Sequence, residues 1–584
     1  MFKGEVAKLL AKATGLKESE IESLIEIPPS QDLGDFAFPC FILAKSLKKA
    51  PNIIAQELAG KIKLDSKSSI SEVKATGPYL NFFIDKNKLA NGVIKDIINC
   101  GACYGSWPLR KEKIVIEYPA PNTNKPLHLG HARNMLLGNS ICNILAFAGY
   151  QAIPVNYVND RGVHICKSML AYQKWGKNKE PDISRAGETD SKGKELFVKK
   201  SDHFVGDFYV MFSQKAKEHP EFEQEIQELL RKWEAGDKEL VALWKKMNKW
   251  ALDGFNETYK KFDVHHKKTY FESEIYNHGK EIILEGLKKG LFAKDEEGAI
   301  IADLEKDGLG KKVLIRKDGT AIYITTDIYL AKLKFDDFKM NKSVYIVGNE
   351  QIFHFKVLFK LLEMLGFPFA KNCYHLAYGM IYLPEGRMKS REGTVVDADD
   401  LVEEMKKEAE AEIKKRHKLD KKELEKRKEI IGMGALKFFV LKYDPMKDFV
   451  YNPAESISFE GETGPYVQYA YARICSIFKN VKKFDIDKME KIKPEFNHEL
   501  EFKLIKLLAD FKNIVSNAAE EYKPSLVARY SLDLAQAFNE FYHECPVLKA
   551  EKKVMESRLV LIFCVKQVLK NALDLLGIKA PEEM

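Results

Sequence analysis

The chain contains 584 residues, of which 45% are hydrophobic and 30% are charged, a composition typical of folded proteins with several hydrophobic cores and not of disordered or collagen-like chains. At about 150 residues per domain, this length predicts about four domains. The formal net charge of +8 permits a polyanionic partner without requiring one, because net charge bears on association and not on fold.

Signals for a membrane or for secretion are not found in the sequence. Residues Met1 to Glu5 lead into a charged helical pattern, whereas a secretory signal carries an apolar run. No apolar stretch approaches the roughly 18 residues of a membrane-spanning helix. The nine cysteines are scattered, with one CxxC motif at Cys100 and Cys103, which favours free thiols in a reducing compartment over a zinc or redox site. We therefore expect a cytoplasmic protein.

The first 110 residues are predicted to form a separate α/β module. Helical spacing of apolar residues is found over Val6–Ala13 and again over Ile53–Ile62. The apolar runs Ile70–Val73 and Tyr79–Ile84 lie on either side of a Gly-Pro turn and predict two strands.

A strand, a turn and a helix follow this module. Ile114–Tyr118 predicts the strand, Leu136–Phe147 the helix and Ala152–Val158 the next strand. This β-α-β order is typical of the opening of a parallel, doubly wound sheet. We therefore predict a Rossmann-type α/β core over residues 111–397.

The turn before the predicted helix carries His128, Gly130 and His131. Unpaired N–H groups and a partial positive charge at a helix N-terminus attract phosphate. Glycine lets a ligand approach the backbone closely, and two imidazoles can donate hydrogen bonds to a phosphoryl transition state. The turn therefore indicates a nucleoside triphosphate site for nucleotidyl transfer. The bland alternative is a helix start with a surface histidine.

The sheet is predicted to be interrupted. Residues 171–260 have helical spacing and are rich in lysine, glutamate and tryptophan, which predicts a helical insertion. The sheet resumes at Val344–Val347 and closes near Tyr378–Leu383.

A short basic loop, Gly386–Val396, comes after the last predicted strand. Because ligands bind at the carboxyl ends of parallel strands, this loop should face the histidine turn. Its cations can then act on a triphosphate in the transition state. Taken alone, the loop is more simply a basic surface turn.

The remaining chain is predicted to be helical. Residues 398–431 are almost continuously charged, which favours a solvated connecting helix over a phosphate-binding one. Residues 432–584 show helical periodicity with few strand signals, which predicts an all-α bundle.

The histidine turn and the basic loop together resemble the HIGH and KMSKS signatures of class I aminoacyl-tRNA synthetases. More narrowly, the chain resembles the arginyl-tRNA synthetase family over nearly its whole length. The matching segments are Pro121–His131, Asn159–Gly162, Asp318–Asp327, Gln351–Phe355, Gly461–Tyr469 and Leu576–Glu582.

The resemblance implies a two-step ligase. Arginine would be activated with ATP and passed to the 3′-terminal adenosine of tRNA(Arg), with Mg²⁺ accompanying ATP, by a monomer that needs bound tRNA for activation. It also implies a first module that binds the tRNA elbow and a last domain that binds the anticodon.

The resemblance assigns residues to three groups of contacts. ATP and its transition state would be held by Lys125, Leu127, His128, Gly130, His131, Arg387, Met388, Lys389 and Arg391. Arginine would be held by Asn122, Glu272, Tyr323, Asp327 and Gln351. The tRNA would be held by Gln31, Phe36, Asn81, Tyr469, Arg473, Tyr542 and Met584.

Some of these assignments have support from the residues themselves. Tyr323 and Asp327 are four residues apart, so on a helix they share a face, and an aromatic ring beside a carboxylate suits a guanidinium. Tyr466, Tyr469 and Tyr471 lie close to Arg473, which suits stacking of unpaired bases. Helically spaced tyrosines are as often core residues.

One position departs from the family pattern. Arg387 stands where the KMSKS loop usually has its first lysine, and a guanidinium is not equivalent to an ammonium. The positive charge is kept, but Lys389, Arg391 or Lys125 could contact the triphosphate in place of Arg387, so the sequence leaves open which cation matters.

Two other functions are compatible with the histidine turn. A small-molecule nucleotidylyltransferase would share the ATP site but would have no use for a helical domain of about 150 residues. A non-catalytic tRNA-binding protein would not be expected to keep His128, His131 and the loop cations, all of which are present.

Overall fold

The computed structural model describes residues 2–65, 68–177, 179–181, 200–382, 396–481, 489 and 492–584. The chain forms two compact units. The first unit comprises Met1–Tyr104, Ile477–Asp510 and Gln536–Val568. The second comprises Gly105–Ser476, Phe511–Ala535 and Leu569–Met584.

The N-terminal part of the first unit is a small α/β structure. Its sheet is antiparallel in the order β1-β3-β2, and its core includes Val6, Leu10, Phe38 and Phe82. The predicted helices and the hairpin around the Gly-Pro turn are confirmed. The elements are α1 (Phe2–Thr14), α2 (Glu18–Leu24), β1 (Phe36–Pro39), α3 (Ala44–Leu47), α4 (Pro51–Lys61), β2 (Ile70–Thr76), β3 (Tyr79–Ile84) and α5 (Lys86–Cys100).

The second unit begins with the predicted β-α-β run and is interrupted by helices. The elements as far as residue 382 are β4 (Lys113–Glu117), α6 (Leu129–Phe147), β5 (Gln151–Val158), α7 (Val163–Ala171), α8 (Ser201–Lys215), α9 (Phe222–Glu234), α10 (Lys238–Phe262), β6 (Lys268–Phe271), α11 (Glu272–Ile275), α12 (Gly279–Lys288), β7 (Ala293–Lys294), β8 (Ile300–Leu304), β9 (Gly310–Ile315), α13 (Tyr323–Phe338), β10 (Lys342–Gly348), α14 (Ile352–Met364), β11 (Cys373–Tyr378) and β12 (Ile381–Tyr382).

The central sheet has five parallel strands in the order β11-β10-β4-β5-β6. The order reverses between β4 and β10, and in such sheets ligands bind outside the carboxyl ends of the strands at that point. The predicted Rossmann-type core is confirmed.

Two features of the sheet region were not predicted. The sequence predicted no strand between residue 260 and Val344, yet β6 pairs with β5 there. It is only four residues long and begins at the exposed Lys268, so its hydrophobic signal is weak. A separate antiparallel sheet, β7-β8-β9, also precedes α13.

Buried apolar side chains hold the sheet and its helices together. Val115, Val155, Ile328 and Leu358 belong to one cluster, and full burial of each such side chain contributes about 1.5–3 kcal/mol. Helices α8 to α10 of the predicted insertion share an aromatic-rich cluster, which includes Phe212, with α7, the helix that precedes the insertion.

The C-terminal third is helical, as predicted, apart from one short strand. The expectation of a single charged helix over residues 398–431 is wrong, because one helix ends at Arg416 and a second begins at Lys421. The Asp420 side chain caps the second helix by accepting a hydrogen bond from Glu423 N. The elements are α15 (Ala398–Arg416), α16 (Lys421–Leu441), β13 (Phe449–Val450), α17 (Pro453–Ser456), α18 (Gly464–Asn480), α19 (Glu499–Glu521), α20 (Pro524–Glu544) and α21 (Lys552–Leu575).

Several charges of this segment are paired within or between the two helices. Lys414 pairs with Glu410 and Lys415 with Glu412, which agrees with the solvated-helix interpretation and not with a free basic surface. Among the described residues, no helix has the length and apolar character needed to cross a membrane.

Candidate active site

The histidine turn lies at the switch point of the sheet, between the end of β4 and the start of α6. Backbone hydrogen bonds join it to the end of β5: Asn159 N donates to Pro121 O at 2.9 Å and Thr123 N donates to Asn159 O at 3.1 Å. The turn is thereby fixed to two neighbouring strands at their carboxyl ends, where a ligand is expected.

Each histidine of the turn uses Nδ1 as a hydrogen-bond acceptor. The His128 ring accepts from Gly130 N at 3.1 Å, and the His131 ring accepts from His128 N at 3.2 Å. A neutral imidazole whose Nδ1 accepts must carry its proton on Nε2. Both rings therefore present an Nε2–H donor at the N-terminus of α6, in an arrangement that the backbone has already set.

Burial keeps both imidazoles neutral. It lowers the pKa of His128 to about 3 and the pKa of His131 well below its usual range, and Lys125 lowers both further. Burial also lowers the pKa of Lys125 itself. The turn thus offers neutral, directional donors beside one partly buried lysine. The Leu127 side chain of the same turn lies fully inside the core.

Gly130 packs closely against the ring of His128. A Cβ atom at residue 130 would lie 3.0 and 3.1 Å from two atoms of the His128 ring, closer than normal van der Waals contact. A side chain there would push the imidazole out of position, so the glycine serves the neighbouring histidine as well as a ligand.

The chain after residue 395 pairs with the histidine turn. Leu129 N donates to Val396 O at 2.9 Å, and Ala398 N donates to Leu127 O at 3.0 Å. The loop cations Arg387, Lys389 and Arg391, with Met388, lie outside the described residues.

A cluster of charged groups fixes Asp397 and Asp399 at the start of α15. Asp399 lies 2.6 Å from Lys200 and 2.8 Å from Lys261, and Asp397 lies 3.0 Å from His203. The oxygens and the imidazole nitrogen are within 4.8 Å of one another, a spacing that metal sites also show. Two lysines already compensate Asp399, so the group does not fit a dedicated Mg²⁺ site.

Arg133 was not singled out by the sequence, although it lies two residues after His131 in an apolar helix. It is 1% exposed, and its guanidinium donates to Pro445 O at 3.0 Å, Lys447 O at 2.8 Å and the Gly379 carbonyl. It positions α6 against the segments that precede β12 and β13.

Glu272 is the first residue of α11, directly after β6. It is 4% exposed, and its Oε2 atom has no hydrogen-bond partner among the described residues. Burial raises the pKa of its carboxyl to about 7, with Asp327 and Asp160 adding and Arg161 opposing. A buried carboxylate without a partner is costly, which marks it as a group awaiting a cation. Glu274, two residues on, is exposed.

Asp160 and Arg161 support Glu272 from the end of β5. Asp160 accepts from Ser273 N at 2.9 Å and from Ser273 Oγ at 2.7 Å. The Arg161 guanidinium lies 3.5 Å from the centre of the Tyr276 ring and 2.6 Å from a Glu234 oxygen. The segment Asn159–Gly162 was identified from the sequence, but the partners of Asp160 and Arg161 were not, because they are distant along the chain.

The other predicted arginine contacts lie at the starts of α13 and α14. Asp327 is 2.7 Å from His354 Nε2, and it raises the pKa of that imidazole. Tyr323 is 74% exposed and Gln351 is exposed, so this side of the pocket is open. Asn122 pairs through its backbone with Asn159.

The predicted tRNA contacts in the second unit are only partly on the surface. Arg473 lies 4.7 Å from the centre of the Tyr469 ring, and both are half-buried, as are Tyr466 and Met584. Tyr471 is 4% exposed, so it belongs to the core and the interpretation of this residue as a stacking platform is wrong.

The predicted tRNA contacts in the first unit also differ in exposure. Phe36 is half-buried, and Tyr542 is 38% exposed with Phe538 stacked at 5.9 Å. Asn81 lies in β3, the middle strand of the sheet, and is 3% exposed, so its side chain is enclosed and is not presented to a partner in this structure. The Gln31 side chain lies outside what the structure describes.

Three family models match successive parts of the chain. The model "tRNA synthetases class I (R), catalytic domain" matches residues 94–453. "Arginyl tRNA synthetase N terminal domain" matches residues 1–84, and "DALR anticodon binding domain" matches residues 467–584.

Individual proteins match over almost the whole length. The arginine–tRNA ligase of Parabacteroides distasonis is 44% identical over 94% of this chain and 94% of its own length. That of Treponema denticola is 45% identical over 96% of this chain and 94% of its own length. The solved arginyl-tRNA synthetase of Thermus thermophilus superposes with a TM-score of 0.81 at 28% identity, with both chains fully covered.

Proposed function

This chain belongs to the arginyl-tRNA synthetases of class I, and from that premise we propose that it activates L-arginine with ATP and transfers the arginyl group to tRNA(Arg). In the first step the arginine carboxylate attacks the α-phosphorus of ATP and releases pyrophosphate. In the second, the ribose 2′-hydroxyl of the terminal adenosine attacks the arginyl carbonyl and releases AMP. Positioning and charge stabilisation account for such catalysis without a protein nucleophile.

The observation that carries the proposal is the unpartnered Oε2 atom of Glu272, near the carboxylate of Asp327. A guanidinium is planar, always charged and able to donate to carboxylates in two directions. Bound there, it would satisfy Glu272 and replace His354 as the partner of Asp327. Tyr323, Gln351 and Asn122 complete the proposed arginine contacts.

ATP is proposed to bind at the histidine turn. The Nε2–H groups of His128 and His131 would donate to phosphate oxygens, while Gly130 allows close approach to the backbone. Leu127 would contribute a backbone contact only, because its side chain is buried. Such fixed donors, aimed where charge develops, are worth more in a buried site than in water. Lys125 and the loop residues Arg387, Met388, Lys389 and Arg391 would add contacts to the triphosphate, and Mg²⁺ would arrive with ATP.

The tRNA is proposed to bind both units. Tyr469, Arg473, Tyr542 and Met584 are our candidates near the anticodon, and Phe36 and Gln31 are our candidates near the elbow. We keep the proposed division into an N-terminal module (1–110), a catalytic domain (111–397), a charged segment (398–431) and a helical domain (432–584), with a cytoplasmic monomer as the working form.

Exchange of labelled pyrophosphate into ATP tests the proposal. We expect exchange with arginine and not with the other amino acids, and only when tRNA with an arginine anticodon is present. Exchange with arginine in the absence of tRNA would support the assignment as an arginine-activating enzyme but would show that activation does not depend on tRNA. A folded, ATP-binding protein that gives no exchange with any amino acid would contradict the proposal.

A further inference from the structure

An exposed aromatic ring lies beside the proposed arginine pocket. Phe353 is the second residue of α14, which starts at the carboxyl end of β10, and it is 51% exposed. It directly precedes His354, the partner of Asp327, and follows Gln351 by two residues. An apolar ring in this position is not needed to fill the core.

A lysine from another element covers this ring. The Lys312 ammonium lies 4.4 Å from the centre of the Phe353 ring. Lys312 lies on β9, two residues before Leu314. The Leu314 carbonyl oxygen accepts a hydrogen bond from Thr325 Oγ1 at 2.8 Å. Thr325 lies between Tyr323 and Asp327 in α13. The Phe353–Lys312 pair is therefore next to the pocket.

The chemistry of this pair suits a single-stranded nucleotide. Aromatic rings stack on any base, and a neighbouring cation contacts its phosphate. The proposed function, on which this inference rests, requires the unpaired 3′ end of tRNA to reach the carboxyl group of arginine.

We propose that Phe353 and Lys312 bind the 3′-terminal nucleotides of tRNA. A base of the single-stranded end stacks on the Phe353 ring, and the Lys312 ammonium moves from the ring to the adjoining phosphate. The contact acts on the acceptor end alone and makes no contribution to binding of the elbow or the anticodon.

The test compares two RNAs, tRNA(Arg) with its complete 3′ end and the same tRNA without its last three nucleotides. Binding is measured for the wild type, Phe353→Ala and Phe353→Trp. Since stacking contributes about 1–3 kcal/mol per base, we expect Phe353→Ala to weaken binding of the complete tRNA by about five- to 150-fold. Phe353→Trp should retain the affinity, and the shortened tRNA should bind wild type and Phe353→Ala equally.

Lys312→Ala tests the phosphate contact, with Lys311→Ala as its matched control. Lys311 is the adjacent residue on β9 and faces the opposite side of the strand. The Lys311→Ala substitution therefore removes the same charge at a different place. We expect Lys312→Ala to reduce the slope of log affinity against log salt by about 0.7 for the complete tRNA, the loss of one single-strand phosphate contact. Lys311→Ala should leave the slope unchanged.

Two results would overturn the inference. Equal weakening of both RNAs by Phe353→Ala would mean that the ring acts through the fold or through another part of tRNA. Equal binding of the complete tRNA by wild type and Phe353→Ala would mean that the ring makes no contact. Charging of tRNA by the wild type is measured on the same samples. If the wild type does not charge tRNA, the proposed function fails; if it does, either result above counts against this inference alone.

Discussion

The two halves of the proposed active site, the histidine turn and the arginine pocket, differ in how far they are preorganised before a ligand binds. At the histidine turn, both Nδ1 atoms are hydrogen-bonded and burial holds both rings neutral. In the arginine pocket, Glu272 keeps an unpartnered oxygen and Tyr323 is largely exposed. The phosphate side is assembled by its own backbone, whereas the amino-acid side is completed only by a cation.

This difference indicates where each half gets its effect. Prearranged donors accelerate a reaction because they need no reorganisation in the transition state. An unsatisfied buried carboxylate instead rejects ligands that lack the matching donor, since they leave it unpaired. We therefore expect the histidine turn to govern the rate of activation and Glu272 to govern the choice of amino acid.

Replacing either histidine should give the largest effect. His128→Asn and His131→Asn remove an Nε2–H donor, and we expect each to lower kcat for arginine activation by about 10²- to 10³-fold with little change in KM for arginine. Pyrophosphate exchange at saturating tRNA measures both constants. Since asparagine also caps helices, thermal unfolding should show that α6 is intact. A change in KM for arginine alone would contradict the division of roles.

Removing the charge of Glu272 should come next. Glu272→Gln keeps the shape but loses a charge-assisted hydrogen bond of about 1.5–3 kcal/mol, so KM for arginine should rise by about ten- to 150-fold while KM for ATP stays unchanged. Glu274→Gln, which changes an exposed glutamate two residues away, is the matched control. An equal effect of the two variants would mean that Glu272 is not the specific contact.

Acid should weaken arginine binding in the wild type. The pKa of Glu272 rises from its ordinary 4.5 to about 7 in the empty pocket, so burial favours the protonated carboxyl until arginine binds. Between pH 8 and pH 6 the ionised fraction falls about tenfold, and KM for arginine should rise by about that factor. His354, whose pKa is raised by Asp327, acts in the same direction because its imidazolium competes for Asp327. A flat profile would contradict the assigned pKa.

The smallest effect is expected at Tyr323. The ring is 74% exposed, and an exposed cation–π contact contributes about 0.5–1 kcal/mol. Tyr323→Leu should therefore raise KM for arginine only about two- to fivefold, whereas Tyr323→Phe should have less effect. A loss as large as that of Glu272→Gln would show that the pocket closes on the ring when arginine binds.

The sequence predicted those parts of the molecule that depend on neighbouring residues. The β-α-β opening, the hairpin of the first module and the histidine turn were found because their hydrophobic spacing and turn residues are local. Partners distant in sequence were not found. Arg133 is held by carbonyl groups more than 200 residues away, and Asp399 by Lys200 and Lys261.

Errors at single residues have the same origin. Tyr471 and Tyr469 look alike in the sequence, but only the first is buried in the core, since burial depends on which face of α18 meets its neighbours. Asn81 is a polar residue in the middle strand of a sheet, where a sequence pattern does not show which polar residues are enclosed.

The most direct test of the contrast between the two halves is a pH profile of pyrophosphate exchange for wild type and Glu272→Gln. Between pH 8 and pH 6 we predict a rise of about tenfold in KM for arginine in the wild type, a much flatter profile in the variant, and an unchanged KM for magnesium-bound ATP in both. Parallel arginine profiles in the two proteins would show that Glu272 is not the group that awaits the guanidinium, and would contradict the account.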